Sequence, residues 1–324
     1  MGEHFQMPVT ETVRLRESCL RIVDAFASRP EFSHMSSLSV SINGHVLFEE
    51  HRRGQGIADT FSVTKSVLAT LVGAAVGDGL IEDLDDPLGG PLGLPAGHPA
   101  AGHTWRHLLT QTRGCATDGP WDIDELMALP RGWVDHVLAA PRLHAPGTAF
   151  RYDSGGVHVL GAALSAVVGR PLSAYAEERL FAPLGIDEWF WPRDPEGRAY
   201  GFGHLRLSPE SLRRLGELWL GLGTWRGRSL VPEAYMREMV REQSAGGPPE
   251  GTAHGYLTWV ERGYFFAGGW AGQHVVVVPS AHAVVVTTGD PGFDPGPPPT
   301  DRMPPNWRPG LDLVRTQLLP LLLP

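Results

Sequence analysis

The sequence predicts an α+β protein in which an antiparallel sheet, assembled from both ends of the chain, meets an inserted region that is mainly helical. Three observations predict it. Near the start, alternating Leu38, Val40 and Ile42, then Asn43-Gly44, then Val46 and Phe48 read as a β-hairpin with a tight two-residue turn. Strand signals return only late in the chain, and the apolar spacing in between is helical.

Taken in order, residues 8–28 place Val13, Leu20, Val23 and Phe26 among charges and stop at Arg29-Pro30, which predicts an amphipathic helix. The hairpin comes next. From Ser62, the apolar residues Val67, Leu68, Leu71, Val72, Ala75 and Val76 recur at helical spacing until Gly77-Asp78-Gly79 ends the run. A second clear helix carries Val157, Leu160, Leu164 and Val167 and is closed by Gly169-Arg170-Pro171. Ser208-Pro209 opens a third, with Leu212, Leu215 and Trp219. Strands are expected over 256–260, 264–267, 275–278 and 284–288. A helix is expected over 311–319, after a Pro/Gly-rich loop over 291–309. The expected organisation is one unit of residues 1–324, in which 1–60 with 205–324 form a discontinuous α/β part and 61–204 a mainly helical part. A cleft between the two is the expected place for a site.

Composition narrows the function classes. The chain has 324 residues, 42% hydrophobic and 19% charged, as in an ordinary globular protein with a substantial core. A formal charge of −9 argues against nucleic acid or an anionic membrane as partner. No apolar run reaches membrane-spanning length, and the first thirty residues lack a basic start followed by an apolar core, so a cytoplasmic location is expected. Two cysteines, Cys19 and Cys115, are too few for a disulfide framework.

The candidate chemistry centres on Ser62-Val63-Thr64-Lys65. Lys65 is the sole lysine among 27 Lys+Arg, so 26 are arginine. Where surface cations are written as Arg, a retained lysine marks a position that Arg cannot fill. An ammonium can lose its proton near neutral pH when desolvated; a guanidinium cannot. Ser62 falls at a helix N-terminus with Lys65 one turn on, a nucleophile beside a base where free N–H groups favour developing negative charge. The four-residue pattern alone arises by chance roughly once in a chain this long, so the argument rests on the lone lysine and the helix start.

Two other clusters read as structural. His103 and His107 are spaced like zinc ligands, but Thr104 stands where a water-activating glutamate is needed. Glu82-Asp83-Leu84-Asp85-Asp86 lacks the ligand order and central glycine of a calcium loop. No metal or cofactor is expected.

These residues, with others along nearly the whole chain, resemble the serine β-lactamase/penicillin-binding protein superfamily, nearest its class C-like esterase and amidohydrolase branch. Ser62-Val63-Thr64-Lys65 resembles the first motif. Gly79-Leu80-Ile81, Leu84-Asp85-Asp86-Pro87 and the stretch Thr104 to Thr110 resemble the loop and helix that succeed that motif in the family. Phe150-Arg151-Tyr152-Asp153-Ser154 is similar to the Tyr-x-Asn motif, with Ser154 in the Asn position. Ala182-Pro183-Leu184-Gly185 and Leu205-Arg206-Leu207-Ser208 match further landmarks. Ala267-Gly268-Gly269 stands at the third motif, and Trp270-Ala271-Gly272-Gln273 resembles the branch of esterases and 6-aminohexanoate-dimer hydrolases.

The resemblance implies a β-lactamase/transpeptidase-like fold and an acyl-enzyme on Ser62, with Lys65 and Tyr152 sharing the proton transfers. It implies an oxyanion hole from the backbone N–H groups of Ser62 and Trp270. Ser154, Gly268, Gly269 and Gln273 are the implied substrate-binding residues, although Ser154 could equally cap a helix beginning near Gly155, and Gln273 could be a wall residue. Ala267 replaces the cation that relatives place near a substrate carboxylate, which leans toward a small neutral ester or amide. Two alternatives stand beside hydrolysis: transfer of the acyl group to an amine or alcohol, and a catalytically silent binding protein on the same fold. The sequence leaves the oligomeric state open.

Overall fold

The computed structural model describes residues 7–290 and 309–323. Helix α1 (Val9–Ser28) buries Leu15, Cys19, Ile22 and Phe26, the stripe its three-to-four spacing demands. Strands β1 (Met35–Ile42) and β2 (His45–His51) form the hairpin. Asn43 (φ 51°) and Gly44 (φ 74°) are both left-handed, as a type I′ turn requires.

After β3 (Ala58–Asp59) come α2 (Val63–Gly77), a long irregular stretch and α3 (Trp105–Leu109). The helices α4 (Ile123–Ala128), α5 (Trp133–Leu138), α6 (Ser154–Val168), α7 (Leu172–Ala176) and α8 (Ala182–Leu184) come next, with a π-turn between the last two. Strand β4 (Arg206–Leu207) pairs with β3. Then come α9 (Pro209–Leu220), a small hairpin of β5 (Thr224–Trp225) and β6 (Arg228–Ser229), and α10 (Glu233–Met239). Six strands close the series: β7 (Ser244–Gly247), β8 (Thr252–His254), β9 (Trp259–Glu261), β10 (Tyr264–Gly269), β11 (Gln273–Val278) and β12 (Ala283–Gly289). The helical segments α11 (Pro309–Leu313) and α12 (Leu319–Leu322), joined by a π-turn, end the chain.

The main sheet is antiparallel, in the order β2-β1-β12-β11-β10-β9-β8-β7. Its seam joins the two ends of the chain: Leu38 lies opposite Thr287 and Val40 opposite Val285. Both faces are covered. Val275, Val277, Val284 and Val286 pack with α2 and α9 in the larger core, while Val276, Val278 and Val285 pack with α1 and the C-terminal helices. That two-sided burial is why these strands are written as unbroken valine runs. Each such side chain contributes roughly 1.5–3 kcal/mol on burial. Helix α9 lies close on the sheet because Gly216 has no side chain: a Cβ there would stand 2.5 Å from Val284 Cγ1 and 2.8 Å from Val275 Cγ1.

Some details differ from expectation. The strand expected over 256–260 begins only at Trp259, because Leu257 is left-handed (φ 50°) and its N–H turns to the Leu109 carbonyl. Strands β7 and β8 have no counterpart among the expected elements. Their Gly- and Ser-containing edge has no alternating apolar pattern to read. The last helix begins earlier and runs further than 311–319, and the loop residues up to 308 lie outside the described residues.

His107 serves as a helix cap: its N–H donates to the Thr104 hydroxyl (3.2 Å) and its Nδ1 accepts the Thr104 N–H (3.2 Å). Among the described residues no group of three or more His, Cys, Asp or Glu is placed to hold a metal ion. Among them, too, no single helix is long and apolar enough to cross a membrane.

Candidate active site

Helix α2 is apolar on nearly every side, and its residues from Val63 to Ala75 are all buried. Such a helix belongs in the interior, and it takes Lys65 there with it. Only 4% of Lys65 is exposed. Ser62 sits at the N-terminal edge of α2 and is half-buried.

The turn that delivers Ser62 is strained and held from several sides. Phe61 is left-handed (φ 46°), a conformation that needs outside support in a bulky residue. The support is local. The Phe61 N–H donates to Asp59 Oδ1 (2.7 Å), the Thr64 hydroxyl to the Phe61 carbonyl (2.6 Å), and the Thr60 hydroxyl to the Leu205 carbonyl (2.7 Å). Asp59 also pairs with His204 Nδ1 at 2.7 Å. The N–H groups of Val63, Thr64 and Lys65 fold back onto the carbonyls of Thr60, Phe61 and Ser62; the Ser62 N–H is not used by that turn.

Lys65 Nζ lies 2.9 Å from Ser62 Oγ and donates to the Phe202 carbonyl at 2.6 Å. Burial lowers its pKa from 10.5 to about 7, and the Asp153 carboxylate opposes that shift. Near neutral pH the amine is therefore free to take a proton for a large part of the time. Tyr152 arrives from the loop before α6, and the Lys65 ammonium stands 4.9 Å from its ring centre. Trp259 stacks with the Tyr152 ring (centroids 6.0 Å, planes 14° apart). Burial pushes the Tyr152 phenol well above its usual range, a hydrogen bond with Ser62 opposes this, and the Glu250 carboxylate adds to it. The resting pair is thus a neutral phenol and a lysine near its midpoint, which makes the neutral Lys65 amine, rather than a tyrosinate, the base available near pH 7.

Strand β10 closes the site from the sheet side. A side chain at Gly269 would collide with the Thr60 carbonyl and stand 3.3 Å from the Ser62 nitrogen. Glycine there lets the strand end run against the nucleophile turn and carries Trp270 to the same place. Ala271 continues in a left-handed conformation (φ 60°).

The structure thus brings Ser62, Lys65 and Tyr152 together, with Gly268, Gly269 and Trp270 on the adjoining strand end. Gln273 lies opposite Gly269 across the strands but is closed off from solvent. It is 1% exposed, inside the sheet between β10 and β12, with its Nε2 unpartnered among the described residues. Ser154 is the half-buried first residue of α6, and the cap of that helix is Asp153, whose Oδ1 accepts the Gly156 N–H at 2.7 Å. Ala267 is fully buried and contributes only a methyl group.

Sequence reasoning missed four contributors: the Phe202 carbonyl, Trp259, His254 and the partner of Asp153. His254 is held neutral, its pKa lowered to about 3 by burial and by the Lys65 charge. It packs between Phe150 (4.9 Å) and Trp259 (4.8 Å).

Replacing Tyr152 with Phe keeps the Trp259 stack and removes only the hydroxyl. The expected result is a turnover loss of roughly 10²–10⁴-fold with an unchanged thermal melt. Normal activity in the Phe variant, measured on an activated ester, would leave Tyr152 a packing residue.

No curated protein matches the sequence. Among solved structures, a candidate beta-lactamase from Bacteroides dorei DSM 17855 superposes with a TM-score of 0.74 at 20% identity, covering 85% of this chain and 90% of that one. A candidate 6-aminohexanoate-dimer hydrolase from Bacillus anthracis gives a TM-score of 0.68 at 19% identity, over 81% and 75% of the two chains. EstCE1, described as a hydrolase with promiscuous acyltransferase activity, gives 0.70 at 17% identity, over 86% and 94%. At such identities the likeness is one of fold. The beta-lactamase family model matches residues 37–298, a span running from the first strand of the hairpin past the last strand of the sheet and including Ser62, Lys65 and Tyr152; the chain belongs to the beta-lactamase family.

Proposed function

We propose that this protein is a serine hydrolase that cleaves a small ester or amide through an acyl-enzyme on Ser62. The observation that carries the proposal is the buried Lys65 amine, 2.9 Å from Ser62 Oγ and brought to a pKa of about 7. A lysine kept only for structure has no use for a desolvated site that strips its charge.

The reaction is built from these positions. Neutral Lys65 takes the Ser62 proton as Oγ attacks the substrate carbonyl, and the resulting oxyanion is received by the Ser62 and Trp270 N–H groups. As the tetrahedral adduct collapses, its bond to the leaving oxygen or nitrogen breaks, and the Tyr152 hydroxyl delivers a proton to that atom. Lys65 restores the proton to Tyr152. Water then attacks the acyl-enzyme by the same route in reverse and frees Ser62. Turnover should accordingly rise with pH through about 7, as Lys65 loses its proton.

Ala267 argues for neutral substrates. A charge-assisted contact to a substrate carboxylate contributes on the order of 1.5–3 kcal/mol, and a methyl group cannot make it. Incubation with a panel of p-nitrophenyl esters, anilides and benzylpenicillin, with and without amine acceptors, tests the reading by intact-protein mass and product analysis. Ester hydrolysis clearly faster than penicillin turnover is expected. A protein that never gains acyl mass would be a silent binding protein. Amine adducts dominating over free acid would identify a transacylase. Efficient penicillin turnover would overturn the argument from Ala267.

A further inference from the structure

Behind Tyr152 the fold contains a buried ion pair that the proton transfers do not use. The Arg113 guanidinium grips Asp153 with two hydrogen bonds, Nε to Oδ2 and Nη2 to Oδ1, the latter at 3.3 Å. A third, Nη1 to the Val137 carbonyl at 3.0 Å, anchors it to α5. Both side chains are about 95% buried. Room has been made for them: a side chain at Gly156 would collide with the Asp153 carboxylate and stand 3.1 Å from Arg113 Nε. Two residues back, the left-handed Gln111 accepts the Arg151 N–H on its carbonyl at 3.0 Å. The segment 111–113 therefore holds the Tyr152 loop at residue 151 and at residue 153, one grip on each side of the phenol.

We propose that Arg113 is a positioning residue for the proposed reaction: it fixes Tyr152 through Asp153, and its charge offsets the Asp153 carboxylate so that Lys65 can stand neutral beside Ser62. The inference rests on the Ser62–Lys65 reading and adds to it. A buried bidentate pair costs desolvation that an apolar pair would avoid, so a role in charge balance gives it a physical reason to be ionic. Among the described residues, Asp153 is the acid whose charge is seen to raise the Lys65 pKa. Other groups near Lys65 are Ser62 and the Tyr152 phenol, both neutral, and His254, a neutral imidazole on β8; the Glu250 carboxylate acts on Tyr152. Removing Arg113 alone leaves an uncompensated carboxylate that favours protonated Lys65. Removing the Asp153 charge alone leaves a buried cation that favours neutral Lys65. The two variants must shift the lysine in opposite directions.

The lone lysine makes that shift directly readable. Protein labelled with ¹⁵Nζ,¹³Cε-lysine carries a single labelled side chain, so its titration is followed by NMR without any substrate. Against the wild type, Arg113→Gln should move the Lys65 midpoint up by about one pH unit, and Asp153→Asn should move it down by about as much. Asn keeps a side-chain oxygen to cap α6. The double variant Arg113→Gln/Asp153→Asn should return toward the wild-type midpoint and tolerates a failure of either single variant to fold. The acid limb of ester turnover should move in the same order. A single variant that folds and leaves the Lys65 midpoint at the wild-type value, or moves it the other way, would overturn the charge-balance role. A double variant whose midpoint departs from the wild type as far as a single variant does would overturn it as well. Opposite shifts in a protein that Ser62 reagents never acylate would instead retain the pair and reject the hydrolase reading.

Discussion

Ser62→Ala is expected to abolish covalent labelling by a fluorophosphonate and to lower ester turnover by roughly 10⁴-fold or more, the scale at which a nucleophile is lost from a catalytic unit. The structure gives reasons to expect a clean result. Ser62 Oγ makes no contact on which the turn depends; the strained Phe61 is held by Asp59, Thr60 and Thr64 instead. The alanine protein should therefore fold and melt normally. Lys65 keeps its bond to the Phe202 carbonyl, so the site should remain formed but lack a nucleophile. Neighbouring hydroxyls offer no substitute. Ser66 is 2% exposed and donates to the Leu257 carbonyl at 2.6 Å, turned away from Lys65 by the helix. Label that survives in the Ala variant, located by peptide mass on Ser66 or Ser154, would reject the assignment of the nucleophile.

The legible parts of the chain share a physical pattern. The valine runs of β11 and β12 and the Asn43-Gly44 turn can be read because two-sided burial and positive φ leave few residue choices. Lys65 can be read because the chain avoids lysine everywhere else. Backbone groups and long-range pairs escape. The Phe202 carbonyl that orients Lys65 lies 137 positions away and carries no side-chain signal. Arg113 is one arginine among many, and nothing at its own position announces the carboxylate 40 residues on. Strand β7 at the sheet edge and its neighbour β8 hold their pairing with glycine, serine and threonine, which read as loop. Gln273 is placed beside the site by its motif position and lies on the α2-facing side of β11 with Val275 and Val277, opposite Gly269, yet its closure from solvent is set by packing that no local pattern announces.

Lys65→Arg and Lys65→Met together separate proton transfer from structure. Arginine keeps a positive charge but cannot release it at any working pH. It must also fit a planar fork where an ammonium, 4% exposed, is held between Ser62 Oγ and the Phe202 carbonyl. Turnover should fall by roughly 10³-fold or more, and the melt should drop, because a permanently charged group is left in a desolvated site. Methionine has a similar length and no charge. It should lose turnover to the same degree while melting near the wild type at pH 10 and above it at pH 7, since the buried site is suited to an uncharged side chain. Stability against pH gives the sign independently. The folded pKa of about 7 lies below the unfolded value near 10.5, so unfolding binds a proton throughout that window. Wild-type stability relative to Lys65→Met should fall as pH drops from about 10.5 to about 7 and level off below it. The drop should be of order 4 kcal/mol, the free energy of moving a proton across about three pH units. Denaturant melts of both proteins at pH 7 and pH 10 measure it. A difference that does not change between those pH values would mean that Lys65 is charged in the folded site, and the neutral-lysine mechanism would go with it.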